Sequence, residues 1–456
     1  MLLALAPSIS GPGSYLLSAA NGKEMAKGEA EIALDAETVY IMPKFGEPVR
    51  LPLIDISSIS HGDYRIEMSI VTGEKLALYE LGYKYADFVS QLHSARNAVI
   101  VKHLLVNENL RRPSLSGDLT FTTPPAESRR HEACEIRLYD TSIVFMPFDA
   151  DPIRMHFSNI AQVEARDFSI TLTTSTGDKA IISKLGSQYD ILARDLSDAM
   201  NELGKQTITF LKELSPSAGP STIASLSRLM KDGRAAKSSD IKSISPSIWN
   251  DLEKRIDESR IAEEYRYLKS VARADMIAVG VKRGLMGELT GNYLWVVFPI
   301  YGNDNKYRNA IAVEAVKIAS TVQQEGEPQQ PLASEASGNA TYFFRIAEPD
   351  RYAELAATIE ALDAEAGASI ERLSQMILDV NFRREPVYLS DEQIRNEPQY
   401  ARYRYATQNI ESLKDLRRLF IGRIIHSTFE QWKSDVASLL AFNITAPNGA
   451  RWEKSQ

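Results

Sequence analysis

The sequence predicts an α+β protein made of two tandem copies of a small antiparallel β unit, each closed by a C-terminal helix. Three observations predict this class. Residues 32–97 recur without a gap as residues 136–201, and about 18 of the 66 aligned positions are identical. Within each copy, apolar residues alternate with a period of two, which is typical of strands. The end of each copy changes to the period of a helix. One domain has therefore been duplicated.

Turn and helix-entry motifs carry the duplication. They return 104 positions later, with Met42-Pro43 as Met146-Pro147, Thr72-Gly73 as Thr176-Gly177, and Leu81-Gly82 as Leu185-Gly186. The elements predicted for the first copy are a lead-in over 1–28 with one early strand near 14–19, alternating runs turning at 35–37 and 72–73, and a helix from about 83 to 105. A joint over 106–127 then leads to the second copy, whose helix is predicted from about 187 to 214.

The rest of the chain changes in composition. Amphipathic spacing predicts a helical connector, and four apolar strands followed by a helix interrupted at Gly367 predict a mixed α+β domain. A polar stretch over 323–339 predicts a mobile loop. The predicted organisation is a first copy over 1–106, a second over 107–214, the connector over 215–270, the mixed domain over 271–389 and a helical segment over 390–456. An alternative interpretation of 271–389 is a diverged third copy of the repeated unit.

The repeated unit resembles the pleckstrin-homology-like (PH-like) superfold. The resemblance covers residues 15–214 and depends on strand order, the Leu-Gly entry with a tyrosine three residues on (Tyr85 and Tyr189), and the closing helix. This scaffold hosts many unrelated binding roles. Pleckstrin-homology domains that bind phosphoinositides carry a basic cluster between their first two strands. We assign those loops to 35–37 and 139–142, neither of which is basic, so inositol-lipid binding is not expected.

Composition bounds the function further. The net charge of −8 argues against a bulk nucleic-acid binder, which needs a basic face. The run from Tyr400 to Tyr405 mixes cations with aromatic rings, as nucleic-acid stacking surfaces do, but helical packing explains it as well. No run of about 18 apolar residues suggests a membrane span, and the short apolar start lacks the features of a signal peptide. We expect a cytoplasmic protein.

Two arginines hold equivalent places in the two copies. Arg50 stands three residues after Glu47, and Arg154 stands three residues after Asp151. One interpretation is a ligand-facing cation in both halves. The alternative is an exposed cation beside a neighbouring acid, which contributes little to stability. Both arginines are candidate ligand-binding residues.

A glycine-rich stretch is the nearest approach to a phosphate cradle. It places Gly280, Gly284, Gly287 and Gly291 around the candidate anion-binding residues Lys282 and Arg283. Its spacing matches neither phosphate-binding motif, and no strand–loop–helix context surrounds it. A hairpin turn, or a strand crossing near Trp295, explains the glycines more simply.

Catalytic and metal-binding patterns are not visible. The six histidines show no HExxH or paired spacing, and on a strand Cys134 would face away from His131. No cofactor, metal or catalytic residue is predicted. We therefore expect a non-enzymatic binding or scaffolding protein that takes a protein or peptide partner, partly by strand addition. The alternatives are a peripheral module that binds anionic lipid, and an enzyme with an anion site in 271–389.

Overall fold

A computed structural model of the chain describes residues 8–453 except 107, 127, 149, 285–290, 303–307 and 319–339. The polar stretch predicted as a loop over 323–339 and the candidate Gly287 lie outside the described residues. The described residues form two compact units. The first contains 8–104, 110–155 and 159–193, and the second contains 105–109, 156–158 and 194–453.

The first copy is a seven-stranded antiparallel sheet followed by a helix. Its elements are β1 (Ile9–Ser18), β2 (Glu24–Leu34), β3 (Thr38–Pro43), β4 (Val49–Pro52), β5 (Ile56–Gly62), β6 (Arg65–Ile70), β7 (Lys75–Tyr79) and α1 (Tyr85–His103). The strand order is β4-β3-β2-β1-β7-β6-β5. Apolar side chains from the strands and from Phe88 and Leu92 of α1 form its core.

The second copy repeats this plan. Its elements are β8 (Leu115–Thr122), β9 (Arg129–Leu138), β10 (Ser142–Met146), β11 (Ile153–His156), β12 (Ile160–Arg166), β13 (Ser169–Thr174), β14 (Lys179–Ser183) and α2 (Tyr189–Leu214). The strand order, β11-β10-β9-β8-β14-β13-β12, is that of the first sheet shifted by seven. The α+β class with tandem PH-like domains is therefore confirmed.

The first strand of the first copy was only partly predicted, and that of the second copy was missed. β1 contains Gly11, Pro12 and Gly13, which read as a lead-in, yet it pairs with both β2 and β7. The three residues pair with β2, and this pairing outweighs their weak strand propensity. A Cβ on Gly13 would lie 2.8 Å from the Ile32 side chain, so close packing requires this glycine. The joint over 106–127 was likewise too long, because residues 115–122 form β8.

A polar contact joins the two copies within the first unit. The guanidinium of Arg96 on α1 donates to the carbonyls of Ile56 and Ser57 at 3.0 and 3.2 Å, and to the Asp151 carboxylate of the second copy at 2.6 Å. Asn97 donates to the Pro147 carbonyl at 2.8 Å. Arg96 and Asn97 are both buried. Because buried polar groups are costly unless bonded, this contact fixes one arrangement of the copies.

The second unit is built on an antiparallel sheet of order β15-β16-β17-β18-β19-β20. Its elements, in chain order, are α3 (Pro220–Leu229), β15 (Ala235–Lys237), α4 (Ser238–Ile244), α5 (Pro246–Asp257), α6 (Ala262–Val271), β16 (Ala278–Gly284), β17 (Gly291–Ile300), β18 (Ala310–Ile318), β19 (Ala340–Phe344), α7 (Pro349–Leu355), α8 (Ile359–Asp379), α9 (Glu385–Tyr388), α10 (Asp391–Asn396), α11 (Arg404–Asn409), α12 (Glu411–Leu419), β20 (Phe420–Ile425) and α13 (Phe429–Thr445).

Four strands of the second unit were predicted, and two were not. β15 lies inside the predicted helical connector, and β20 lies inside the segment predicted to be helical. The apolar spacing of residues 416–424 suits a helix, but the β-branched Ile424 and Ile425 pair as part of a strand with β19. α8 runs through Gly367, and the break falls before its N-cap Thr358. The alternative of a third repeat stays a prediction; this sheet has six described strands rather than seven.

Candidate functional site

The hairpin that joins β5 to β6 turns through two residues with left-handed backbone, Asp63 (φ 46°) and Tyr64 (φ 55°). The equivalent hairpin of the second copy turns through Asp167 (φ 52°) and Phe168 (φ 54°). Such two-residue turns prefer asparagine and glycine, because a bulky side chain in this conformation costs roughly 1–2 kcal/mol. Both copies thus place an aromatic residue where the backbone disfavours it.

These aromatic side chains face solvent. Tyr64 is 73% exposed and Phe168 is 79% exposed. Each ring contacts the tyrosine that begins the following helix, with centroids 5.3 Å apart for Tyr64 and Tyr85, and 5.8 Å apart for Phe168 and Tyr189. We call Tyr64 with Tyr85, and Phe168 with Tyr189, the aromatic tips. The helix supports each tip but leaves most of its exposed ring free for contact.

The arginines beside the aromatic tips are paired with acids, and the turn residues Asp63 and Asp167 add negative charge. In the first copy Arg65 bonds Glu67 at 2.9 Å, and in the second Arg166 lies 3.4 Å from Glu164. Exposed pairs of this kind give the surface little net charge. The tips therefore offer apolar, polarisable contact area without a cationic field. That chemistry suits a protein surface better than an anionic membrane or a nucleic acid.

One of the two outer strands of each sheet leads to its aromatic tip. β5 ends the strand order of the first sheet, and its residues 58–62 are exposed apart from the half-buried Ile59. β12 holds the same place in the second sheet. The edge of an outer strand can pair with an added strand. A peptide added to β5 or β12 would therefore run alongside a tip.

The sequence reasoning missed the tips, although a signal was present. The pairs Asp63-Tyr64 and Asp167-Phe168 align in the repeat and stand between alternating apolar runs. They were not recognised as turns because they contain neither glycine nor asparagine.

The repeated arginines lie away from the tips, on β4 and β11. Arg50 is exposed, with its guanidinium carbon 5.9 Å from the Tyr40 ring centroid. Arg154 is half-buried and donates from Nε to the Ser142 hydroxyl at 3.3 Å. The two copies thus use the same position for different contacts. A ligand-binding role for either arginine stays a prediction.

Lys282 and Arg283 differ in accessibility. The Lys282 side chain is 1% exposed, and its ammonium bonds the Asp232 carboxylate at 2.8 Å. The Arg283 side chain is exposed, while its backbone N–H donates to the same carboxylate at 2.7 Å. An anion-binding role for the two stays a prediction, with the Lys282 charge already matched by Asp232.

Strand pairing and close packing explain the glycines beside these cations. Gly280 pairs with Trp295 across the β16–β17 ladder, and a Cβ there would lie 2.4 Å from the indole nitrogen. Gly284 pairs with Gly291 at the end of the same ladder. Of the two structural explanations, a hairpin turn or a strand crossing near Trp295, close packing against Trp295 accounts for Gly280.

The loops between the first two strands were misassigned, because β1 and β8 were not fully recognised. They are 19–23 and 123–128, and 35–37 instead joins β2 to β3. Arg129 and Arg130 follow the second of these loops at the start of β9. Lys184 and Arg130 both bond Asp118 at 2.8 Å and lower the pKa of its carboxyl to about 2. Asp118 therefore neutralises part of the positive charge that Arg130 and Lys184 bring to this region.

A buried polar cluster lies in the second unit. The Glu314 carboxylate accepts hydrogen bonds from the Thr341 hydroxyl and from His426 Nε2, the latter at 2.9 Å. The Trp432 indole donates to Thr341 at 2.8 Å. Among the described residues, no group of three or more His, Cys, Asp and Glu side chains is arranged to hold a metal ion. In the same part of the chain, no helix combines the length and apolar character of a membrane span.

No protein-family model and no curated protein matches the chain. It is similar in structure to the C-terminal domain of an unknown protein from Leishmania infantum, at 15% identity and TM-score 0.18, over 23% of this chain and 95% of that one. It is also similar to the human N-terminal PH domain of ARAP2, at 18% identity and TM-score 0.18, over 23% and 90%. It is similar as well to the Spt16D–Pob3N heterodimer, at 10% identity and TM-score 0.17, over 37% of this chain and 86% of that one.

Proposed function

We propose that the chain is a non-enzymatic binding or scaffolding protein that holds a protein or peptide partner on its tandem PH-like domains. The observation that carries this proposal is the aromatic tip, present in both copies in the same strained and exposed geometry. Residues held in unfavourable backbone conformations cluster at functional sites. Neither Tyr64 nor Phe168 contributes to a core that would account for the strain.

The surface chemistry of the aromatic tips indicates what kind of partner they contact. Exposed tyrosine and phenylalanine rings supply large contact area at low conformational-entropy cost, which is why aromatic residues concentrate at protein interfaces. The outer strands β5 and β12 lead to the tips and offer main-chain hydrogen bonds. We expect an extended segment of the partner to pair with an outer strand and to pack an apolar side chain on the adjacent tip.

The experiment uses the full chain as bait in lysate of its native host, comparing the wild type with the double variant Tyr64→Gly and Phe168→Gly. Glycine removes the rings but accepts the left-handed backbone, so the hairpins keep their shape. The control is Phe45→Ser, which removes a ring that is 92% exposed elsewhere in the first copy. We expect a retained protein to be lost with the double variant and kept with the control.

Two outcomes would contradict the proposal. Equal retention by the wild type and the double variant would remove the tips from the binding surface. Sedimentation of the wild type with anionic liposomes at low salt, abolished in the double variant, would assign the tips to the peripheral membrane alternative instead. Calorimetry with the identified partner then gives the affinity that each tip contributes.

A further inference from the structure

An apolar cavity of about 60 Å³ lies in the second unit, between β18 and β19 on one side and α8 and α9 on the other. Since one water needs about 10–15 Å³, the cavity has room for a chain of several carbon atoms. Most of its lining is aliphatic or aromatic, including Val313, Phe344, Leu373, Ile377 and Val387. Such a lining favours an apolar occupant.

One end of the cavity is cationic. Arg384, at the start of α9, lines the cavity and is half-buried. Among the residues that the structure describes, the Arg384 side chain makes no hydrogen bond and no ion pair. A guanidinium withdrawn from water without a partner is costly, and a bound anion would compensate it.

A second guanidinium belongs to the residue that pairs with Tyr342 in the β19–β20 ladder. Arg423 on β20 is half-buried, and its guanidinium carbon lies 3.6 Å from the centroid of the Tyr388 ring. Within the described ranges it too has no carboxylate partner. Tyr342, which lines the cavity, lies close to both arginines: burial raises the pKa of its phenol, and the charges of Arg384 and Arg423 oppose that rise. The two cations therefore meet at the Tyr342 side of the cavity.

A carboxylate near the cavity does not cancel this field. Glu314 contributes to the lining, but its side chain is buried and accepts hydrogen bonds from Thr341 and His426. Its carboxylate is therefore already engaged by hydrogen-bond partners of its own. The apolar cavity, Arg384 in its lining and Arg423 beside Tyr342 thus form one site with an apolar part and a cationic part.

We propose that this cavity binds a small amphipathic carboxylate, with its aliphatic chain among the apolar side chains and its carboxylate on Arg384 and Arg423. A planar guanidinium matches a carboxylate in shape and charge. The site lies in the second unit and is independent of the aromatic tips, so it adds a small-molecule ligand to the proposed binding role.

The first test needs only the wild-type full chain. Isothermal titration calorimetry compares octanoate, octanol and octylammonium, which share a chain and differ in head group. We expect octanoate to bind at least about 10-fold more tightly than octanol, because only the carboxylate uses the guanidinium groups. Octylammonium should not bind. Octanol binding as tightly as octanoate, or no binding of octanoate at millimolar concentration, would overturn the proposal.

The second test uses variants. Arg384→Gln and Arg423→Gln should each weaken octanoate binding by about 10-fold or more while leaving octanol unchanged. Ala315→Leu, which fills the cavity without touching a charge, should weaken both ligands. The matched control is Arg228→Gln, an exposed arginine on α3 that does not line the cavity. A loss for the control equal to that for Arg384→Gln would refute the assignment.

Discussion

Tyr64 and Phe168 occupy the same position of the same left-handed turn, 104 residues apart in the chain. Each rests on a tyrosine, Tyr85 or Tyr189, that also repeats. The pairs of turn residues differ in the aromatic side chain but not in backbone conformation or exposure. The two copies therefore share a surface feature that the fold itself does not require, since glycine would form the turn more easily.

Tyr64→Gly should leave the first copy folded, with a free energy of unfolding within about 1 kcal/mol of the wild type. The relief of backbone strain, roughly 1–2 kcal/mol, offsets the lost contact with Tyr85, roughly 0.5–1.5 kcal/mol. Urea unfolding followed by circular dichroism measures the change. Tyr64→Ala is the control, since it loses the ring but keeps the strain and should be less stable than Tyr64→Gly. The reverse order would show that the turn is not strained.

Arg96→Met should destabilise the first unit by about 1–3 kcal/mol, because it leaves the carbonyls of Ile56 and Ser57 without their buried donor. Methionine is the residue at the equivalent position of the second copy, Met200, so the helix itself tolerates it. The control Arg65→Met removes an exposed guanidinium and should cost less than about 0.5 kcal/mol. Urea midpoints compare them, and equal losses would contradict a special role for Arg96.

Much of the fold could be predicted from the sequence, because the duplication and the period of two are properties of local residues. The start of β1 was not predicted, because Gly11, Pro12 and Gly13 have the composition of a loop and become part of a strand only through pairing with β2. β20 was not predicted, because Leu416, Phe420 and Ile424 lie four positions apart, a spacing that suits one continuous helix. The same spacing also fits a helix whose buried end is followed by a strand, which is what the structure shows.

The candidate sites were harder to predict than the fold. Arg384 and Arg423 meet at Tyr342 only through the tertiary arrangement of β19, β20 and α9, and no short motif marks that meeting. Lys282 looked like a ligand-binding cation because its partner, Asp232, lies 50 positions earlier in the chain. Side chains that come together from distant segments leave no spacing signal for a reader of one sequence.

Gly280→Ala should destabilise the second unit by about 1–3 kcal/mol or more, because the added Cβ would lie 2.4 Å from the Trp295 indole nitrogen and 2.9 Å from the Arg234 carbonyl oxygen. Gly367→Ala is the matched control, since nothing lies within 4 Å of a Cβ there and the residue is inside α8. It should stabilise by about 0.5–1 kcal/mol through helix propensity. Thermal unfolding distinguishes the two signs, and a stable Gly280→Ala would contradict the packing.

His426 should make the stability of the second unit depend on pH. Burial alone would lower the pKa of His426, but its hydrogen bond to Glu314 and the charges of Glu314 and Glu264 outweigh burial and raise it above the ordinary 6.5. A raised pKa in the folded state means stabilisation that is complete below about pH 6.5 and is lost as the pH rises through the folded value. His426→Gln should therefore cost more at about pH 6 than at about pH 9. Urea unfolding at both values checks this, and an equal cost would contradict it.

Lys282 and Asp232 form a buried ion pair, and variants of these two residues distinguish a structural role of Lys282 from a ligand-binding one. Asp232→Asn should cost about 3–5 kcal/mol, because it leaves the Lys282 charge, 1% exposed, without a carboxylate.

The double variant Asp232→Asn with Lys282→Met should recover part of that loss, since it removes the unpaired charge while the asparagine oxygen still accepts from the Arg283 N–H. Urea unfolding of the wild type, the two single variants and the double variant gives the coupling energy. Additive costs, together with a thermal-shift response to phosphate that Lys282→Met abolishes, would instead favour the anion-binding role predicted for Lys282 and Arg283.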